Sequence, residues 1–114
     1  MSMTIFFYRW RIISGKEQQF EKSWAAVTEA IRKQCGSYGS RLHQAENGDY
    51  VGYAQWPDAK TREACELDST SSGARVLMRE AIEHSYPDEQ FVIKNDLLSP
   101  AEYADSHPGS PSAN

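Results

Sequence analysis

The first strand is the feature that most limits how this chain can fold. Residues 4–13 read TIFFYRWRII, which is rich in β-branched and aromatic side chains and contains no glycine or proline. This composition predicts a β-strand. Side chains alternate between the two faces of a strand. One face carries Ile5, Phe7, Arg9 and Arg11, and the other carries Phe6, Tyr8, Trp10 and Ile12. Because both faces hold large apolar groups, we expect both to be covered.

A long helix is predicted after this strand. Ser14 and Glu17 have the spacing of a capping box, and Gly36 supplies a stop signal. Between them, apolar residues recur at steps of three and four, as on one face of a helix. They are Phe20, Trp24, Val27, Ile31 and Cys35.

A β-hairpin is predicted next. The Asn47-Gly48 pair favours a tight turn between strands at 40–45 and 50–56. Pro57 ends the second strand, and Asp58 is placed to cap a short helix over residues 59–66.

The last part of the chain predicts one more helix, with Ser72 as its cap, and one more strand. Apolar residues from Ala74 to Ile82 have helical spacing, which places His84 in the last helical turn, and residues 90–98 alternate as a strand. The order β-α-β-β-α-α-β predicts an α+β fold of the ferredoxin-like type, with a four-stranded antiparallel sheet and helices on one face. Since the first strand needs cover on both sides, we expect a homodimer joined through the open sheet faces.

Length and composition allow a single folded domain. We place it at residues 1–98 and expect residues 99–114, rich in proline and serine, to form a flexible tail. The sequence has no apolar run of membrane-spanning length, and we expect no signal peptide. Cys35 and Cys65 lack metal-binding spacing, so we expect no metal site and two free thiols in a reducing cytoplasm.

The charge distribution argues against nucleic-acid binding. The chain carries 12 basic and 16 acidic residues, a net charge of −4, and it contains no basic cluster that would attract a polyanion. The element order is shared with the RNA-recognition fold, but Tyr50 and Tyr53 are three residues apart and therefore on opposite strand faces.

Three stretches of the sequence resemble the antibiotic biosynthesis monooxygenase superfamily of dimeric α+β barrels. They are Ser14-Gly15-Lys16-Glu17 with Phe20 and Trp24, then residues 36–43 (GSYGSRLH), then residues 47–57 (NGDYVGYAQWP). The resemblance spans about residues 5–98. It implies the same fold and a dimer. The superfamily includes cofactor-free oxygenases of phenols and quinols, heme-degrading enzymes, isomerases and proteins of unknown activity.

The resemblance can be tested against the heme-degrading branch. Those enzymes have an asparagine, a tryptophan and a histidine at positions that match Tyr8, Ala64 and Ala74 here. Since none of the three is present, heme cleavage is not expected. The resemblance therefore implies a cofactor-free monooxygenase that oxidises a small electron-rich aromatic molecule with O2.

Such a reaction needs a base, groups that stabilise an anion, and a cavity that excludes water. We consider His43 as the base and Arg9 as a group that stabilises an oxyanion. Candidate substrate-binding residues are Tyr8, Trp24, Tyr53, Trp56 and His84. Each also has an ordinary structural interpretation. His43 is an exposed or packing residue of a short strand, and the aromatic residues are part of the core. Arg9 is an edge charge or forms a salt bridge across the dimer, and His84 is a favourable charge near a helix end. A non-catalytic module that binds a small molecule, or only dimerises, is the alternative.

Overall fold

The computed structural model describes residues 3–99. It contains five strands, three α-helices and one short 3-10 helix. In chain order they are β1 (Thr4–Ile12), α1 (Glu17–Cys35), β2 (Gly39–Gln44), β3 (Tyr50–Trp56), α2 (Ala59–Glu63), the 3-10 helix (Ser69–Ser71), α3 (Ser72–Ala81), β4 (Ile82–Ser85) and β5 (Glu89–Val92).

The sheet is antiparallel throughout, in the order β2-β3-β1-β4, and β5 also pairs with β1. One face packs against the helices through an aromatic core. Its fully buried centre is Phe20 of α1, which contacts Trp10 and Tyr50 with ring centroids 5.2 and 5.3 Å away. The predicted α+β fold with helices on one face of the sheet is thus confirmed.

The sequence predicts a four-stranded sheet whose last strand spans residues 90–98, but the sheet has five strands. Two short strands, β4 and β5, both pair with β1 in place of that one strand. Helix α3 ends at Ala81, and the next four residues form β4, with His84 paired to Arg11. His84 therefore lies on a strand, and its predicted place in a helical turn is wrong. Tyr86 and Pro87 interrupt the edge before β5 pairs with the first half of β1. Residues 82–85 form a strand because the backbone groups of β1 need hydrogen-bond partners, and β4 provides them.

Two of the predicted helix starts are also wrong. Helix α1 begins at Glu17, and the residue at its cap position is Lys16, so Ser14 is not the cap. The Glu17 carboxylate instead accepts a hydrogen bond of 3.0 Å from the Gly15 amide. Ser72 is the first residue of α3 rather than its cap. The cap at Asp58 is confirmed, because its carboxylate accepts the Thr61 amide at 2.7 Å. That helix is shorter than expected and ends at Glu63.

The two cysteines form a disulfide, so the expectation of free thiols is wrong. Cys35 is the last residue of α1, and Cys65 follows α2; their Cα atoms are 5.1 Å apart. The bond packs against a buried cluster of Phe6, Ala54 and Trp56. Sequence spacing could not show that these two helix ends meet. The cytoplasmic location of the protein stays a prediction, but free thiols no longer support it.

We call the sheet face opposite the helices the open face. It carries the side chains of every second residue of each strand. Phe7 lies between Tyr53 and Phe91, with ring centroids 5.6 and 4.9 Å away. Beyond β5, Leu98 lines a hollow of about 200 Å³ with Phe7, His43 and Tyr53. Leu97 and Leu98 remain 86% and 82% exposed. Within one chain this face is thus only partly covered.

Among residues 3–99, no helix has the length and apolar character to cross a membrane. The predicted tail begins at Ser99, and its remaining residues, 100–114, lie outside the described part of the chain.

Candidate functional site

A cavity of about 220 Å³ lies between the sheet and the helices. Most of its lining residues are aromatic or aliphatic, and three of them, Tyr8, Thr28 and Ser40, carry a hydroxyl group. The lining residues are Tyr8, Trp10, Trp24, Thr28, Ile31, Ser40, Gly52, Ala54, Trp56 and Met78. Such a space suits a small aromatic molecule with one or two polar groups.

Strand and helix periodicity together produce this lining. Tyr8 and Trp10 are two residues apart on β1, and Gly52, Ala54 and Trp56 follow the same alternation on β3, so all five share one sheet face. Trp24, Thr28 and Ile31 are four and three residues apart on α1, which places them on one side of that helix.

Gly52 allows the aromatic wall to lie close to β3. The Tyr8 and Trp10 rings are stacked, with centroids 5.8 Å apart and planes 11° from parallel. A Cβ atom on Gly52 would be only 2.9 Å from Cη2 of Trp10. The absence of a side chain at this position is therefore what lets the indole occupy its place.

The Tyr8 hydroxyl makes a hydrogen bond with a charged group. It accepts a hydrogen bond of 2.8 Å from Nε of Arg62, which is on α2. The other end of the guanidinium donates to Asp88 at 2.6 Å. Burial raises the pKa of Tyr8 above its ordinary value, although the Arg62 hydrogen bond and charge act to lower it. The phenol is thus neutral near pH 7 and can donate its proton.

The cavity brings together three of the residues chosen from the sequence: Tyr8, Trp24 and Trp56. They come from β1, α1 and β3. Trp24 combines both of its interpretations, since it packs against the core and also lines the cavity.

The other four chosen residues lie on the open face of the sheet. Arg41 pairs with Tyr53, and His43 with Val51, so these side chains share the face of Phe7. His84 stands opposite Arg11 on the same face, with its ring edge-on to Tyr86 at 4.6 Å. A molecule in the cavity is separated from all of them by the sheet.

Arg9 also lies on the open face and is held in an ion pair. Its Nε donates a hydrogen bond of 2.9 Å to Asp49, and Arg11 approaches the same carboxylate at 3.6 Å. Burial would raise the pKa of Asp49, but hydrogen bonds from Arg9 and Asn47 bring it below its ordinary value. The ion pair expected for Arg9 across a dimer is thus formed within one chain.

Sequence reasoning missed Arg62 and the cavity hydroxyls of Thr28 and Ser40. No local pattern marks Arg62, because its partners Tyr8 and Asp88 are 54 and 26 residues away. Thr28 had a detectable signal, since it lies one turn beyond Trp24 on α1. In the part of the chain that the structure describes, no group of three His, Cys, Asp or Glu residues could hold a metal ion.

Comparison of the sequence with protein-family models and with curated proteins gives no match. Solved structures do match. SnoaB, a cofactor-independent oxygenase from Streptomyces nogalater, has a TM-score of 0.69 at 18% identity, and the match covers 87% of this chain and 100% of SnoaB. This chain has the fold of the antibiotic biosynthesis monooxygenases.

Two further structures support that assignment of the fold. A candidate antibiotic biosynthesis monooxygenase from Bordetella bronchiseptica has a TM-score of 0.63 at 17% identity, over 85% of this chain and all of the other. Another from Chloroflexus aurantiacus has a TM-score of 0.64 at 14% identity, over 83% of this chain and 96% of the other. The resemblance found in the sequence is thus confirmed at the level of the fold.

Proposed function

We propose that this protein is a cofactor-independent monooxygenase that oxidises a small phenol or quinol with O2 in the cavity between sheet and helices. The observation that carries the proposal is the cavity, with aromatic walls and a neutral phenol, Tyr8, held at its edge by Arg62. The fold shared with SnoaB supports it.

The chemistry follows from the substrate. An electron-rich phenol that enters as its phenolate, having left its proton in the solvent, can transfer electrons to O2 directly. For a phenol oxidised to a quinone, one oxygen atom becomes the new carbonyl, the other leaves as water, and all four electrons come from the substrate. Tyr8 stabilises the phenolate by donating a hydrogen bond, and the apolar walls strengthen that bond by excluding water. A volume of about 220 Å³ favours a substrate of one or two rings.

The role of His43 as the catalytic base stays a prediction, but His43 lies outside the cavity between sheet and helices. It lines the open-face hollow with Phe7 and Tyr53, so it would serve a substrate bound there and not in the cavity. Arg9 and His84 lie on the same face. The two locations make opposite predictions for substitutions.

The test is oxygen uptake by the purified protein with a panel of phenols and quinols. We expect Tyr8→Phe to lower kcat/KM by about 10²-fold, the scale for loss of an oxyanion donor. His43→Ala, on the other face of the sheet, should change kcat/KM little. The reverse pattern would move the chemistry to the open-face hollow, and no uptake with any compound would contradict the enzyme proposal.

The alternative is a non-catalytic module that binds a small aromatic molecule. One observation favours it: His43 and His84 do not line the cavity, so the cavity has no imidazole base from either. Binding of phenols in the cavity without oxygen uptake would support this alternative.

We also propose that a second copy of the chain covers the open face. Large apolar side chains remain exposed on it or beside it, and larger contiguous apolar patches usually mark a surface that binds another protein. They are Phe7, Phe91, Val92, Ile93, Leu97 and Leu98. The partner would close over the hollow that contains His43.

A further inference from the structure

Arg62 is linked to the cavity through Tyr8. It is not among the lining residues, yet its Nε donates to the Tyr8 oxygen at 2.8 Å. Its guanidinium also lies over the buried Phe6 ring, 4.2 Å from the centroid, and over the Tyr8 ring at 5.5 Å. Both rings thus offer a π-face to the same cation.

The helix that carries Arg62 is fixed at both ends. The Asp58 carboxylate caps its first turn, and the Cys35–Cys65 disulfide ties the chain just beyond its last residue to α1. Asp88, from the turn before β5, holds the far end of the guanidinium at 2.6 Å. A five-residue helix would be unstable alone, so these contacts are what set the position of Arg62.

The hydrogen-bond direction leaves the Tyr8 proton free. A phenol oxygen both accepts and donates, and here the guanidinium has only N–H groups, so Tyr8 must accept from it. Among residues 3–99, Tyr8 accepts this hydrogen bond and donates none. The proton is therefore available to a bound molecule, and the adjacent positive charge makes it a stronger donor.

We propose that Arg62 is a positioning residue: it orients the Tyr8 hydroxyl so that its proton binds the oxygen of a phenolate in the cavity, and its charge makes the site prefer the anion to the neutral phenol. This deepens the proposed function, on which its biological meaning rests. Asp88 keeps the guanidinium aligned, and Arg62 itself does not touch the substrate.

The test uses p-nitrophenol as the probe, because its neutral and anionic forms have different absorption spectra. We titrate the probe with pH in the absence and presence of the full-length protein, and the apparent pKa of the bound probe reports the preference for the anion. With wild type, the bound pKa should be at least about one unit below that of free probe, a tenfold preference. Arg62→Gln should abolish this preference.

Two further variants separate positioning from folding. Tyr8→Phe should lose the same preference, and the double variant should lose nothing more, because both substitutions remove one interaction. Arg62→Lys keeps the charge without the planar fork and should keep part of the preference. Arg32→Gln is the matched control, since Arg32 makes a surface ion pair with Glu29 at 2.5 Å, and it should behave as wild type.

An unchanged anion preference in folded Arg62→Gln would overturn the proposal, as would failure of wild type to bind the probe or to favour its anion. The outcome is separate from that of the oxygen-uptake assay. An Arg62-dependent preference without uptake contradicts only the enzyme. Uptake without an Arg62-dependent preference contradicts only the positioning role.

Discussion

The phenol of Tyr50 donates a hydrogen bond of 2.5 Å to the carboxylate of Glu21, joining β3 to α1. This bond, together with burial, raises the pKa of Tyr50 to about 12. Because the pKa of Tyr50 is higher in the folded state than in the unfolded state, the bond stabilises the fold while the phenol is protonated. This stabilisation is fully present below the pKa of an unfolded tyrosine, about 10, and is lost as the pH rises through the pKa of the folded state.

We therefore expect Tyr50 to ionise late in an alkaline titration followed by tyrosinate absorbance. The stability contributed by this residue should fall between about pH 10 and pH 12. Glu21→Gln should move the late step to lower pH, because it removes the acceptor's charge. Tyr50→Phe should remove the late step. Tyr38→Phe is the control, since Tyr38 is an exposed tyrosine, and it should leave the late step in place. A late step that persists in Tyr50→Phe would contradict the assignment.

Gly52→Ala should destabilise the protein by about 1–3 kcal/mol, the usual cost of overpacking. The added Cβ would approach two ring atoms of Trp10, at 2.9 and 3.2 Å, and the buried indole would have to move. Gly73→Ala is the control, because a Cβ on Gly73 meets nothing within 4 Å. That change removes a helical glycine and should stabilise by about 0.5–1 kcal/mol. Urea unfolding of both variants measures the difference, and equal effects would refute the packing argument.

Loss of the disulfide should lower the free energy of unfolding by about 3–4 kcal/mol, as expected for a loop closed over 30 residues. The variant is Cys35→Ser combined with Cys65→Ser. A dithiol reductant should destabilise wild type to the same extent and leave the double variant unchanged. If the reductant has no effect on wild type while it demonstrably frees two thiols, the bond is not stabilising.

Phe7→Glu should separate the proposed dimer into monomers. Phe7 is 38% exposed on the open face, and a carboxylate buried there between two copies would be unpaired. Val76→Glu is the control variant. Val76 is exposed to a similar extent, 42%, but it lies on α3, on the helical side of the sheet. Light scattering should show a monomer for the first variant and a dimer for the second. A monomeric wild type would contradict the dimer itself.

The fold could be predicted because its main elements have strong local periodicity. The stripe on α1 and the Asn47-Gly48 turn each need only neighbouring residues to be recognised. The assignment of His84 failed for a related reason: Ala81 and Ile82 suit either a helix or a strand. Pairing of His84 with Arg11 decides between them, and that pairing is invisible in a local window.

The candidate site was predictable only in part. Tyr8, Trp24 and Trp56 were found because aromatic residues on regular elements are obvious candidates. His43 and Tyr53 were chosen by residue type, and the face on which they lie depends on strand register, which one residue of shift reverses. Arg62 could not be found, since its role depends on where a five-residue helix is held by distant groups.

The Cys35–Cys65 bond also encloses the whole β2–β3 hairpin and α2 within one covalent ring. A single cut in that ring, for example by a protease at the exposed Asn47-Gly48 turn, would leave two fragments joined by sulfur. The nicked protein would migrate as one species in a non-reducing gel and as two after reduction. Its two halves could not diffuse apart, so they would retain the chance to refold together after the backbone is broken.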